Sequence, residues 1–256
     1  MTKPRVCIVR APGTNCDEEA DAAWQAAGAA VETWHIGRLL EQPTALDKFQ
    51  ILTIPGGFSY GDDLGAGRIF AARLGTVLSD AIERLRDRDG LILGICNGFQ
   101  VLVRMGLLPG RRELGPATLA HNASGQFEDR WVRMQPSAGK TPFLTSDEPI
   151  DAPSAHGEGR FLMRSSRATE QLMESGQVVL RYVDEAGTPT ESYPANPNGS
   201  PLGIAGVCDA TGRILGMMPH PERNILPWHH PHWTRAGSDQ PGNGLSVFRN
   251  AVAYCR

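Results

Sequence analysis

A cysteine between two glycines, at the end of an apolar segment, is the feature of this sequence best suited to covalent chemistry. Residues 91–95 are continuously apolar, and Gly94, Cys96 and Gly98 form a Gly-x-Cys-x-Gly pattern that leads into a helical pattern. A sharp strand-to-helix turn strains its central residue, so the flanking positions must lack bulk. The pattern predicts a nucleophile elbow with Cys96 at a helix N-terminus, which favours the thiolate. The alternative is an inert buried cysteine beside an ordinary turn.

A second segment supplies a base and a carboxylate. The predicted strand 214–218 is followed by Pro-His-Pro-Glu, so His220 and Glu222 are two residues apart. In extended backbone such residues point the same way, and Pro221 favours extended backbone at the residue before it. A thiol nucleophile needs a base, and the base needs a group that orients it. We predict His220 as the base, with Glu222 fixing its tautomer; the alternative is a structural histidine at a strand end.

A pair of glycines after another apolar segment is a candidate for binding negative charge. Residues 51–54 predict a buried strand that ends at Pro-Gly-Gly. Such turns are common connectors, so the motif alone is weak evidence. Beside an elbow on a neighbouring strand, one glycine amide here and the amide of Asn97 would form the two donors of an oxyanion hole.

All these residues follow predicted strands, and in the first hundred residues strands alternate with helices. Near-continuous apolar strands separated by helices indicate a parallel sheet that is covered on both faces. Ligand sites in such sheets lie at the carboxyl ends of the strands. The predicted strands are 5–9, 31–34, 51–54 and 91–95, and the predicted helices are 17–27, 74–86 and a segment that ends near 105.

The second half of the chain has shorter alternating runs, which predict smaller antiparallel strands. A loop rich in Asn, Pro and Ser at residues 191–201 lies between strand candidates and marks no boundary, and no repeat is visible. We therefore predict a single domain over residues 1–256. The predicted strands lie within 118–135 and at 161–163, 178–183, 203–207 and 214–218, and the predicted helices are 168–174 and 245–254.

Composition excludes several classes of protein. The 25 Lys and Arg against 28 Asp and Glu give a net charge of -3, and the pI is about 6.2, so we expect no nucleic-acid partner. No apolar run reaches the roughly 18 residues of a membrane helix, and we expect a cytoplasmic protein without a membrane partner. Five cysteines without scaffold spacing argue against a disulfide framework.

Together these motifs resemble those of class I glutamine amidotransferases. Within that family they are most similar to the glutaminase subunits of phosphoribosylformylglycinamidine synthase, an enzyme of purine biosynthesis. The resemblance runs from near residue 5 to near residue 254. Its motifs are Ala-Pro-Gly-Thr-Asn-Cys-Asp at 11–17, Pro-Gly-Gly-Phe-Ser-Tyr-Gly-Asp at 55–62, Gly-Ile-Cys-Asn-Gly-Phe-Gln at 94–100, Phe-Glu-Asp-Arg-Trp-Val at 127–132, His-Gly-Glu-Gly-Arg-Phe at 156–161 and Pro-His-Pro-Glu-Arg at 219–223.

The resemblance implies a role for each candidate residue. Cys96 is the nucleophile, His220 the base and Glu222 its orienting partner, and the amides of Gly57 and Asn97 form the oxyanion hole. It implies a flavodoxin-like α/β fold in three layers, with a mostly parallel sheet, helices on both faces and short antiparallel additions. No metal site is expected.

The implied activity is hydrolysis of L-glutamine to glutamate and ammonia through a cysteinyl thioester. The ammonia passes to a synthetase subunit that converts formylglycinamide ribonucleotide to formylglycinamidine ribonucleotide, and a further small subunit is a possible third component. The resemblance implies that ATP and Mg bind to that synthetase. This chain lacks a Gly-x-x-x-x-Gly-Lys-Ser/Thr loop, and we expect no cofactor in it.

Two rival functions remain open at the level of sequence. A cysteine peptidase on the same sheet is disfavoured by the family motifs at 127–132 and 156–161, and a regulatory module with a vestigial site is disfavoured by the complete triad. The histidine-rich run at 229–233 is interpreted as an exposed interface loop, since a proline interrupts it and it lacks the helical spacing of a zinc site.

Overall fold

The computed structural model describes residues 2–110, 112–236 and 241–256. Short 3-10 turns lie at residues 43–48, 59–62, 112–114, 201–203 and 221–223. The strands are Arg5–Arg10 (β1), Ala30–His35 (β2), Ile51–Ile54 (β3), Leu91–Ile95 (β4), Ala117–Ala120 (β5), Glu128–Pro136 (β6), Ile150–His156 (β7), Arg160–Met163 (β8), Val178–Tyr182 (β9), Ile204–Cys208 (β10) and Ile214–Met217 (β11). The helices are Asp17–Ala26 (α1), Ile36–Glu41 (α2), Arg68–Val77 (α3), Ser79–Asp87 (α4), Asn97–Arg104 (α5), Ser166–Glu174 (α6), Trp233–Ala236 (α7) and Leu245–Tyr254 (α8).

Nine of the described strands form one sheet in the order β2-β1-β3-β4-β11-β10-β9-β6-β7, and β5 pairs with β8 in a small second sheet. The first five strands of the large sheet are parallel. Every residue of β3, β4 and β11 is buried. Because successive side chains alternate between the two faces of a strand, complete burial means that both faces are covered. The predicted α/β fold is confirmed.

Two groups of helices cover the parallel strands. Helix α1 packs on β1, β2 and α8, while α5 packs on β3, β4 and β11 and against α3. On α1 the indole of Trp24 is fully buried, lies 4.9 Å from the ring of Phe248 in α8, and donates a hydrogen bond of 3.0 Å to Thr53 Oγ1 in β3. A buried indole N–H needs such a partner, so this bond fixes the position of α1 on the sheet.

Several element predictions differ from the structure. The helix predicted at 74–86 consists of two helices that meet at Leu78, flanked by the weak helix formers Gly75 and Ser79. The antiparallel additions are not short: β6 spans nine residues and β7 seven. The sequence analysis missed β7, because its Asp, Ala and Pro residues are depleted in strands. Pro153 is tolerated there because β7 is an edge strand.

The antiparallel half of the sheet bends back over the carboxyl ends of the parallel half. Strand β7 lies four strands beyond β11 in the sheet order, yet the carbonyl of Pro153 accepts a 2.8 Å hydrogen bond from the His220 N–H. The next contact along β7 is between the carbonyl of Ala155 and Cys96 Sγ, at 3.5 Å. The edge strand thus forms a wall of the site at the end of β4 and β11.

None of the helices in the described part of the chain combines the length and the apolar composition of a membrane-spanning segment.

Candidate active site

Cys96 occupies a strained turn between β4 and α5, as the sequence predicts. Its φ of 51° and ψ of -106° lie outside the regions that an L-residue favours. A Cβ on Gly98 would lie 1.8 Å from the carbonyl oxygen of Ile54, and one on Gly94 would lie 2.7 Å from the carbonyl oxygen of Gly98. Helix α5 therefore packs backbone against backbone on β3, and both glycines are required for the turn to close.

The predicted base and its carboxylate partner are adjacent and fully enclosed. Nδ1 of His220 lies 2.7 Å from Oε1 of Glu222, and the two residues are 2% and 1% exposed. The expected extended backbone is wrong, however: β11 ends at Met217 and residues 221–223 form a 3-10 turn. The juxtaposition arises from that turn, with Pro221 at its first position, where its missing N–H costs nothing.

The electrostatics of this pair favour the imidazolium. Burial acts to lower the pKa of His220, but the charges of Glu222 and Cys96 outweigh it, and the pKa is raised well above its ordinary value of 6.5. A protonated imidazole beside a thiol stabilises the thiolate, which is the reactive form of cysteine.

Nucleophile and base meet because their strands are neighbours. Ile95 of β4 pairs with Met217 of β11, and the carbonyl of Met217 accepts a 2.8 Å hydrogen bond from the Cys96 N–H. In this structure the Cys96 thiol donates to the Ala155 carbonyl, while Nε2 of His220 is buried and without a hydrogen-bond partner among the described residues. A rotation of the thiol toward that nitrogen would bring the predicted nucleophile and the predicted base together.

The two predicted oxyanion donors, Asn97 and Gly57, belong to segments that contact the nucleophile or adjoin it. Asn97 is the first residue of α5, directly after Cys96. Gly57 has a φ of +139°, accessible to glycine, and its neighbour Gly56 packs against the site: a Cβ on Gly56 would lie 3.4 Å from Cβ of Cys96. Asn97 thus adjoins Cys96 and Gly57 adjoins a residue that packs against it, and the role of both N–H groups as oxyanion donors remains a prediction.

The side chain of Asn97 also ties down the loop at 58–67. Its Oδ1 accepts from the Ser59 N–H at 3.3 Å, and its Nδ2 donates to Asp62 Oδ1 at 3.2 Å. Tyr60 and Asp62 both have positive φ, at 55° and 54°. Burial raises the pKa of Asp62 above its ordinary value. Two direct hydrogen bonds thus join Asn97, a predicted oxyanion donor, to a strained loop.

Cys16 is the site residue that sequence reasoning missed. Its sulfur, a ring nitrogen of His220 and a carboxylate oxygen of Glu222 lie within 4.8 Å of one another, and all three residues are buried. Arg223 donates to Cys16 Sγ at 3.2 Å. Cys16 follows the loop at the carboxyl end of β1, and β1 lies next to β3 in the sheet. The position of that loop could therefore have indicated that Cys16 lies near the site.

A second buried histidine, His156, ends β7, directly after the residue whose carbonyl contacts Cys96. Nδ1 of His156 is 3.0 Å from Asn122 Oδ1, and its Nε2 is 2.8 Å from Ser154 Oγ. Gly159 N–H also donates to Asn122 Oδ1, which identifies that atom as the acceptor. His156 therefore carries its proton on Nδ1 and accepts from the serine hydroxyl. Burial, assisted by the charge of His220, lowers its pKa to about 4.

The histidine-rich run lies on the surface. His232 is exposed and His230 partly exposed, and the ring of His230 contacts Trp131 at 4.9 Å. His229 Nδ1 accepts a hydrogen bond from the Ile225 N–H. These contacts agree with an exposed loop, and its role as an interface remains a prediction.

Fold and site together define a class: an α/β protein with a Cys–His–Glu triad at the carboxyl ends of neighbouring parallel strands. The family profile of the CobB/CobQ-like glutamine amidotransferase domain matches residues 3–255, and the chain belongs to this family.

Among curated proteins the chain is similar to phosphoribosylformylglycinamidine synthase subunit PurQ from several organisms. It is 43% identical to that of Dehalococcoides mccartyi, over 100% of this chain and 99% of the relative, and 41% identical to that of Treponema denticola, over 88% and 89%. Among solved structures it matches a chain of PurLQS from Thermotoga maritima with a TM-score of 0.73 and 33% identity, over 100% of both chains. A glutamine amidotransferase from the same organism shares the fold, with a TM-score of 0.56 at 14% identity, over 100% of this chain and 98% of that one.

Proposed function

We propose that this chain is the glutaminase subunit of a phosphoribosylformylglycinamidine synthase. The observation that carries the proposal is the buried Cys96, His220 and Glu222 constellation in a chain that is 43% identical, end to end, to a relative of that name. L-Glutamine is the substrate, and glutamate and ammonia are the products. The reaction serves purine biosynthesis, and we place it in the cytoplasm.

The first half of the reaction makes a thioester. The Cys96 thiolate attacks the side-chain amide carbon of glutamine, and the oxygen becomes an oxyanion facing the N–H groups of Gly57 and Asn97. His220, held by Glu222, then gives its proton to the departing nitrogen as the C–N bond breaks. Ammonia leaves, and the γ-glutamyl group stays on the sulfur.

The second half clears the thioester. Neutral His220 takes a proton from water, the resulting hydroxide equivalent attacks the acyl carbon, and the C–S bond breaks to release glutamate and restore the thiolate. The water enters a site in which Cys96 is 5% exposed. Such enclosure strengthens each electrostatic interaction with the oxyanion.

The ammonia is used by a partner. The PurLQS structure carries three subunit letters in its name, and this chain is similar to one of its chains. We propose a complex with a synthetase subunit that uses ATP and Mg to amidate formylglycinamide ribonucleotide, together with a further small subunit. This chain needs no cofactor of its own for thioester chemistry.

The test is reconstitution of the complex with Cys96→Ser, with Cys255→Ser as a matched cysteine control. Glutamine-dependent synthesis should fall by about 10⁴-fold or more, the scale of triad losses, while synthesis from added ammonium salt persists. Cys255→Ser should keep both. Survival of glutamine-dependent synthesis in Cys96→Ser would remove the nucleophile from the mechanism.

A glutamine-like diazo inhibitor separates the rival functions. In the proposed enzyme it adds to Cys96, and mass spectrometry of the digested protein locates it. A peptidase should ignore the reagent, and a vestigial site should stay unlabelled.

The isolated chain should be a poor glutaminase that its partner activates, because unused ammonia is wasted. The 58–67 loop is the segment through which the partner would act on the oxyanion donors. It begins directly after Gly57 and is hydrogen-bonded to the Asn97 side chain. Leu64 within it is 65% exposed and so is accessible to a partner. Withdrawing one oxyanion donor costs about 10²- to 10³-fold in rate, enough for a switch.

Asn97→Ala tests this role of the loop, because it removes the two side-chain hydrogen bonds to the loop and keeps the backbone N–H. It should reduce the factor by which partner and substrates stimulate the glutaminase. An unchanged stimulation factor, or a lone wild-type chain as fast as the complex, refutes the coupling and leaves the triad standing.

A further inference from the structure

The imidazole of His220 lies between two thiols. Cys16 Sγ lies within 4.8 Å of a ring nitrogen of His220, and the charge of Cys96 raises the pKa of His220. Gly56 leaves the space between the three groups open: a Cβ there would lie 2.7 Å from Cε1 of His220, 3.1 Å from Cys16 Sγ and 3.4 Å from Cβ of Cys96. The proposed glutaminase reaction uses only one of these thiols.

The donor atoms around this space suit a soft divalent cation. Nε2 of His220 is buried without a hydrogen-bond partner in the described part of the chain, and so is Oε2 of Glu222. Oε1 of Glu222 holds Nδ1, which is the arrangement by which carboxylates orient metal-binding histidines. Two thiolates and one imidazole are ligands that Zn²⁺ prefers.

The charges nearby also favour a cation. Arg223 donates to Cys16 Sγ and opposes binding, but its Nε is engaged by Glu19 Oε1 at 3.1 Å. Burial raises the pKa of the Cys16 thiol, and His220 is protonated, so a cation must displace these protons as it binds. Once they are lost, two thiolates, Glu222 and Glu19 oppose the positive charge of Arg223. Asn15 Oδ1, 3.3 Å from Cys16 Sγ, adds a further acceptor.

We infer that Cys16 Sγ, Cys96 Sγ and His220 Nε2 form a binding site for a thiophilic divalent cation of the Zn²⁺ class, supported by Glu222. Zinc–ligand bonds of roughly 2.0–2.3 Å require donors about 3.5 Å apart. Donor atoms of Cys16 and His220 already lie within 4.8 Å of each other, and rotation of the Cys96 thiol away from the Ala155 carbonyl completes the site. Water fills the fourth position. A bound cation occupies both the nucleophile and the base, so it blocks the proposed glutaminase, and this consequence rests on the proposed function.

Co²⁺ is the direct probe of the site. The intensity of its sulfur-to-metal charge-transfer band reports the number of thiolate ligands, and the surface histidines at 229–232 do not contribute to it. The full chain, reduced with a phosphine and freed of metal, should bind one Co²⁺ with the intensity of two thiolates. Cys16→Ala and Cys16→Ser should each lose half of that band. Competition with a chromophoric chelator should show Zn²⁺ affinity lowered at least about tenfold, since even a supporting partner is worth 10- to 100-fold. Cys255→Ser is the matched control and should match the wild type.

Alkylation of the wild-type chain tests the same site without any variant. Zn²⁺ should slow iodoacetamide labelling of both Cys96 and Cys16 and leave the rate at Cys255 unchanged. Protection of Cys96 without Cys16, or equal Zn²⁺ affinity in Cys16→Ala and wild type, overturns the inference. None of these measurements uses glutamine, so a chain that binds Zn²⁺ but lacks glutaminase refutes the proposed function alone.

Discussion

Two buried histidines, one after the last parallel strand and one in the antiparallel half of the sheet, differ in charge: His220 is positive and His156 is neutral. His220 follows β11 in the parallel half and bonds a carboxylate, and its pKa is raised well above the ordinary value. His156 ends β7 in the antiparallel half and bonds an amide oxygen and a hydroxyl, and its pKa falls to about 4. Burial opposes the positive charge in both, so the hydrogen-bond partner decides. We therefore expect His220 to take part in catalysis and His156 to support β7 as a neutral residue.

The largest expected difference between the two histidines is in catalysis. His220→Ala removes the base and should lower the glutaminase rate of the complex by about 10⁴- to 10⁶-fold. His156→Gln keeps a neutral hydrogen-bonding side chain. The factor by which it lowers the glutaminase rate should be at least about 100 times smaller than the factor for His220→Ala. Steady-state rates at saturating glutamine check both variants. Comparable losses would place His156 among the catalytic groups and end the distinction.

Glu222→Gln tests whether the carboxylate sets the charge of His220. The rate loss should be smaller than for His220→Ala by roughly one to two powers of ten, because the base remains. The raised pKa keeps His220 protonated as pH rises through neutrality, and without Glu222 the proton is lost at lower pH. The alkaline limb of the kcat/KM profile should therefore move to lower pH. An alkaline limb at the same pH in Glu222→Gln and wild type would show that a group other than Glu222 keeps His220 protonated.

His156 should make stability depend on pH. Its pKa is about 4 when folded, against an ordinary value of 6.5 when unfolded. Between these two pH values the unfolded chain binds one more proton than the folded chain. The stability that neutral His156 contributes is therefore fully present above pH 6.5 and is lost as the pH falls toward 4. The full effect is about 3 kcal/mol in the free energy of unfolding. Urea unfolding at several pH values should show a flatter dependence in His156→Gln, and parallel curves would contradict the assignment.

The smallest effect concerns the hydroxyl that donates to His156. Ser154 is fully buried, and Ser154→Ala leaves Nε2 without a donor. The free energy of unfolding should fall by about 1–3 kcal/mol, the cost of one buried unsatisfied group. Ser137→Ala, at an exposed position directly after β6, is the control and should change little. Equal stability of Ser154→Ala and wild type would show that the bond contributes nothing.

The sequence was informative where one short segment carries both structure and chemistry. The predicted parallel strands were confirmed. The structure also contains the strained turn at Cys96 and the contact between His220 and Glu222, although a 3-10 turn and not extended backbone produces that contact; the catalytic roles of these residues remain predictions. Cys16 was missed because its approach to His220 joins residues 204 positions apart, which no local pattern encodes. Strand β7 was missed because tertiary contacts, and not its own residue types, make it a strand.

The position of β11 has a consequence for how the chain is made. Among the described strands it is the last in the sequence, yet it lies between β4 and β10 in the middle of the sheet. A chain emerging from the ribosome can build the elbow from β3, β4 and α5, but the base and its carboxylate arrive with the strand that completes the sheet. Until then two strand edges stay unpaired and are exposed to aggregation. A chain that has not yet added β11 and the residues after it should therefore lack glutaminase activity.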